Sequence, residues 1–363
     1  MTVRWRRSVW AVPGAVLLSL ALAGNALAFT WSAPIPLTSS GGGFGFGIAA
    51  VNNTTAVAVY VEWNGSWYDI KVKRSTTSGS SWSGPITLST DGYSPDVAAL
   101  DPFVDVVWES NGRVRYARSV NGGVSYSPSI PLSPRGKFPI NLSVARGPTG
   151  LVIVAWQNGN TNNILTRVST DGGVTFGAAD VFASNVQDMG TSVAAGEGVV
   201  YLAYKTEYWK LVVRHSNDGG VSWTSPHQMT ANGYGVVDQF DITAQGTHAY
   251  IAYTVRNKYH PAWGSVKYRR SLNSGASWSA QRVLSPPRWK TWDPEITLQD
   301  GVVRAAYGRR TSGIYYQQST DGLNWSMAEQ VASDGHEPYV TKANNVIVLY
   351  EVGTGDAYVK TGS

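Results

Sequence analysis

The feature that most restricts this chain is an eight-residue phrase that keeps returning. STDGGVTF begins at Ser169, and close relatives begin at Ser75 (STTSGSSW), Ser119 (SVNGGVSY), Ser216 (SNDGGVSW), Ser271 (SLNSGASW) and, shortened, Ser319 (STDGLNW). The intervals are 44, 50, 47, 55 and 48 residues. A period of this size carries one supersecondary unit per repeat, and neighbouring units must stack to bury their apolar faces.

Each unit has the same order of segments. In the fourth, 188–198 reads as a strand and turn, VVYLAY (199–204) as a buried strand, KLVVRHS (210–216) as an alternating strand, and WTSPHQM (223–229) as a last strand after the phrase. The matching second strands are AVAVYVEW, VDVVW, LVIVAW, AYIAY, VVRAAY and VIVLY. Four short strands with Gly, Asn, Asp and Ser turns, and no helical period, make one antiparallel sheet. The unit reads as a propeller blade.

The chain ends supply the count. A seventh unit opens after Gly335 and stops after its third strand, while TWSAPIPL (30–37) matches SWSGPITL (81–88) and SYSPSIPL (125–132). The expected fold is therefore all-β: a seven-bladed β-propeller of four-stranded antiparallel blades, closed by the N-terminal strand completing the last blade.

Residues 1–28 read as a signal peptide. Arg4, Arg6 and Arg7 precede the apolar run 11–23, and GNALA ends at Ala28 with small residues suited to cleavage. The apolar run is short for a membrane span, so the expectation is a protein secreted, periplasmic or on the cell surface, with one domain over 29–363 and no membrane span in the mature chain. Taking those three arginines from the formal charge of +5 leaves +2. That balance gives no reason to expect nucleic acid as partner. There is no cysteine, so stability rests on packing, and no cofactor is expected.

Within the phrase, the Ser and Asp side chains suit capping of backbone N–H groups in a tight turn, the glycines suit positive φ, and the aromatic suits closure into the blade interface. The pattern resembles the Asp-box, or BNR repeat, of sialidase-like propellers, over all of 29–363. The resemblance implies the propeller fold, with the boxes on the face opposite an active site. The catalytic motifs of sialidases do not carry over: there is no Arg-Ile-Pro near the start, where blade one reads GGGFGFGIAAV.

Short turns between first and second strands, such as AGEG (195–198) and LQDG (298–301), share the box face and hold almost no aromatics. The other face carries the long loops, with Trp63, Trp67 and Tyr68 in EWNGSWYD, KTEYWK, TVRNKYHPAWGS, PPRWKTWDPE and GRRTSG. Aromatic faces beside charged groups are what a sugar site requires. The candidate substrate-binding residues are Tyr208, Trp209, Arg256, Tyr259, His260, Trp263, Trp292, Arg309 and Arg310, for a glycan or an acidic sugar.

Aligning first strands on their turns gives one tunnel position per blade: Gly47, Asp96, Asn141, Gly190, Asp241, Glu295 and Tyr339. Asp241 and Glu295 fall on adjacent blades, where coupling would raise one pKa, so Asp241, Glu295 and Asp96 are the candidate catalytic residues of a glycoside hydrolase. The same acids also suit a purely structural task at the ring entrance. Tyr259 and His260 beside Arg256 would suit a polysaccharide lyase. No paired histidine spacing or Gly-x-Ser-x-Gly elbow points to metal or serine chemistry. A lectin, or a scaffold with a protein partner, is the non-catalytic alternative.

Overall fold

The computed structural model describes residues 29–38, 43–184, 186, 190–206, 208–230, 235–257, 264–285, 291–309, 313–353 and 355–363. These form seven four-stranded antiparallel sheets and no helix. Blade one runs Gly43–Ala50, Ala56–Trp63, Tyr68–Ser75 and Ile86–Ser89, each strand paired with the next in sequence. In the last sheet Ile35–Pro36 pairs with Asp356–Gly362, in the register Ile35 to Val359, and Trp31 bridges to Gly362.

The second strand of each blade is largely apolar because it is covered on both sides by neighbouring blades rather than on one, with Glu62, Asp105 and Arg304 among its buried charged residues. Val152–Asn158 is buried at every position. Val152, Val154 and Trp156 face blade two and join Val107, Val114 and Tyr116 in one cluster, while Ile153 and Ala155 face blade four and join Val200 and Leu202 in another. Deleting one such large ring costs on the order of 3–5 kcal/mol.

The repeated turns are closed by their own side chains. In the third, Ser169 Oγ donates to Asp171 Oδ1 at 2.7 Å and accepts the Gly173 N–H at 2.8 Å. Asp171 also accepts the Thr175 N–H at 2.9 Å and the Thr175 hydroxyl at 2.6 Å. Those donors, the hydroxyl foremost, hold the Asp171 carboxyl well below the usual carboxylate range. Gly172 and Gly173 both have positive φ, and Phe176 packs edge-on against Tyr116 of blade two, ring centroids 4.9 Å apart. Backbone bonds such as Gly172 N–H to Gly150 O, 2.8 Å, seat these turns on the first-to-second-strand turns of the same face.

Candidate functional site

A bulge near the start of the first strand sets the tunnel wall in all blades but the fourth. In six blades the register skips there, as between Tyr93 and Asp96 or Trp292 and Glu295. The skipped positions include Gly45, Ser94, Asn141, Asp293 and Glu337, all with positive φ. Pro95, Pro294 and Pro338 follow three of them, where the ladder needs no N–H.

Matched by their partners on the second strands, Val59, Val107, Ala155, Ala203, Ala252, Ala306 and Leu349, the equivalent tunnel residues are Gly47, Asp96, Ser143, Ser192, Asp241, Glu295 and Tyr339. Asn141 and Gly190 are thus not members of this ring, and Ser143 and Ser192 take their places. The turns that follow differ in length, so alignment on the turns displaced blades three and four by two residues.

The ring is a hydrogen-bonded belt between blades. Asp96 Oδ2 accepts the Val144 N–H at 2.8 Å, Ser143 Oγ the Val193 N–H at 3.1 Å, Ser192 Oγ the Ile242 N–H at 3.2 Å, and Asp241 Oδ2 the Ile296 N–H at 3.0 Å. Each acceptor lies one blade before its donor. Asp96 Oδ1 and Asp241 Oδ1 are engaged too, by the N–H groups of Val97 and Ile242, both at 2.8 Å. Burial raises Asp96 to about 6 against these donors, and raises Asp241 as well. Glu295 is raised well above the normal range by burial and then by the Asp241 charge, to which it hydrogen-bonds. The two carboxyls therefore titrate as a coupled pair.

The tunnel below this ring is a cavity of about 610 Å³ that reaches Pro148, Gly196, Glu197 and Gly246, on the face of the repeated turns. Its wall one level down is Ala49, Ala98, Ala145, Ala194, Thr243, Thr297 and Thr341. The candidate catalytic acids are therefore brought together, and the cavity they line extends toward the face of the repeated turns.

On the loop face, Arg256 forms an ion pair with Asp238. Lys205, 1% exposed, lies between the faces of Trp209 and Phe240, at 5.6 and 5.9 Å from the ring centroids. Arg309 stacks on Tyr315 at 3.8 Å, and Trp292 lies against Gly308, where an added Cβ would approach its ring nitrogen to 2.6 Å. Tyr259, His260, Trp263 and Arg310 lie outside the described residues.

Between blades three and four the same face opens into a groove of about 650 Å³. Its base is Phe182 against Tyr204, centroids 5.6 Å apart and edge to face. The Arg214 guanidinium lies 4.7 Å over Phe182 and donates to the Thr224 carbonyl at 2.7 Å. Tyr208, 74% exposed, stands at the rim beside Thr206, Lys210 and Gln228. The loop that carries it is pinned by Thr206 N–H to Lys210 O and Trp209 N–H to Thr206 O, both 2.9 Å. Of this set only Tyr208 stands out in the sequence. Tyr204 ends an apolar strand and Phe182 lies in an outer strand, so both read as core.

No family model matches the chain, and no curated protein does. Among solved structures, it is similar to the BP39L lectin from Burkholderia pseudomallei, at TM-score 0.68 and 12% identity over 87% of this chain and 94% of that one. It is also similar to YCF48 bound to D1 peptide, at TM-score 0.57 and 14% identity over 93% and 96%. A third is the polysaccharide lyase Uly1, at TM-score 0.55 and 10% identity over 86% and 88%. At such identities the likeness shows the shared propeller fold.

Proposed function

We propose that this chain is an exported, sialidase-like Asp-box propeller that binds glycan without cleaving it, at the groove between blades three and four. The observation that carries the reading is the groove's composition. Two aromatic rings form its base, a third stands exposed at its rim, and Thr206, Lys210, Arg214 and Gln228 surround them. Phe182 and Tyr204 are 7% exposed and make an apolar floor, the exposed Tyr208 ring suits the C–H surface of a pyranose, and the polar groups suit its hydroxyls and any carboxylate. The volume is within the roughly 300–1,000 Å³ of small-ligand pockets.

The hydrolase reading is weaker because Asp96 and Asp241 each commit both carboxylate oxygens to backbone N–H groups. A general acid or base needs an oxygen within reach of the scissile bond. We assign Asp96, Asp241 and Glu295 to ring closure. Arg256 and Arg309 are likewise already engaged with Asp238 and Tyr315.

The test is a glycan array followed by an oligosaccharide digestion assay on protein beginning at Phe29, with N-terminal sequencing of the exported form. Saturable binding without product, and a mature terminus near Phe29, is the expected result. Released sugar would restore the hydrolase or lyase reading, and silence on every glycan would favour a protein partner.

A further inference from the structure

A second cluster of chemistry lies in blade seven, on the loop face and away from the groove. His336 and Glu351 face each other across two paired strands. Glu337 follows His336, and in a regular strand its side chain would point to the opposite side. The bulge prevents that: Glu337 has φ 46°, and its carboxylate lies with the other two groups, one donor atom from each of the three residues falling within 4.8 Å of the others.

Glu351 supplies an independent sign that something is missing. It is 8% exposed, and among the described residues its ion-pair partner is His336 Nε2, at 4.0 Å and outside hydrogen-bond distance. A carboxylate this buried and this weakly compensated is costly, and a coordinated cation removes that cost. Asp293 approaches the Glu337 N–H at 3.4 Å and adds negative charge to the same corner. His336 Nε2 lies 3.4 Å from the Gly353 carbonyl, a contact that coordination through Nε2 would replace.

We propose that His336, Glu337 and Glu351 bind a divalent transition cation of Zn²⁺ type, tying the bulged first strand of blade seven to its second strand. One imidazole with two carboxylates suits Zn²⁺ over the all-oxygen preference of Ca²⁺. Glu337 is only partly buried, so the site leaves a coordination position open to solvent.

The experiment is calorimetric titration of metal-free protein, 29–363, with ZnCl₂ and separately with CaCl₂, on wild type, His336→Ala, Glu351→Gln, the surface change Glu337→Gln, and His227→Ala as a distant control. The expected result is one saturable Zn²⁺ site, weakened at least tenfold by His336→Ala and Glu337→Gln and untouched by His227→Ala. Glu351→Gln should do the same; should it not fold, the other two variants decide. Absence of saturable Zn²⁺ binding, binding indifferent to these changes, or tighter binding of Ca²⁺ would each overturn the proposal.

Discussion

Asp241 of blade five accepts the backbone N–H of Ile296 in blade six at 3.0 Å, while its other oxygen accepts the hydroxyl of Ser192 in blade four at 2.8 Å. One side chain thus fastens three consecutive blades. Asp241→Ala should cost about 2–4 kcal/mol by leaving buried donors unpaired, and Asp241→Asn, which keeps one acceptor, about half as much. Denaturant titration measures both; a loss under about 0.5 kcal/mol for Asp241→Ala would remove the belt from the account.

Stability should also depend on pH in a direction unusual for carboxylates. Asp96 and Asp293, each raised from 3.8 to about 6, stabilise fully below about pH 4, and that contribution is lost as pH rises through 6. Asp218 in a repeated turn is lowered to about 2 by its hydrogen bonds to Ser216 and Ser222, so its contribution is present above pH 4 and lost as pH falls through 2. The two trends predict greatest stability near pH 3–4 and a fall on the order of 3 kcal/mol from there to pH 7, after allowing for tunnel exposure. Glu295→Gln should flatten the fall; a flat wild-type profile from pH 4 to 7 would count against the buried acids.

Gly173 and Gly198 separate packing from backbone strain. Both have positive φ, 82° and 72°, but a Cβ at Gly173 would meet the Tyr116 hydroxyl at 1.8 Å, whereas none lies within 4 Å at Gly198. Gly198→Ala is expected to cost about 1 kcal/mol and Gly173→Ala at least about 3. Equal losses would mean that the repeated turn is not held by its contact with blade two.

Asp105 is 0% exposed and receives the Arg146 guanidinium from blade three and the Tyr116 hydroxyl from its own blade. Asp105→Ala strands a buried cation and should cost about 3–5 kcal/mol, lowering the melting temperature by several degrees. A near-neutral change would show that Arg146 finds water in the tunnel instead.

The seven sheets were legible because the repeated turn, the apolar second strand and its spacing are local signals. The tunnel ring was legible only in part. A displacement of two residues keeps every side chain on the same face of a strand, so alternation cannot detect it. Asn141 and Gly190 therefore stood in for Ser143 and Ser192, and only the pairing of Ser143 with Ala155 and Ser192 with Ala203 reveals the level. The groove was less legible still. It joins Phe182 to Tyr204 across a blade boundary, and neither residue carries a mark that separates it from core.

The most direct measurement is calorimetry of the strongest glycan from the array against wild type, Tyr208→Ala and Glu295→Gln. If the groove is the site, Tyr208→Ala weakens binding about tenfold or more through loss of its ring contact, and Glu295→Gln binds as wild type does. The reverse pattern, with Glu295→Gln abolishing binding and Tyr208→Ala leaving it intact, would move the site to the tunnel and contradict the account.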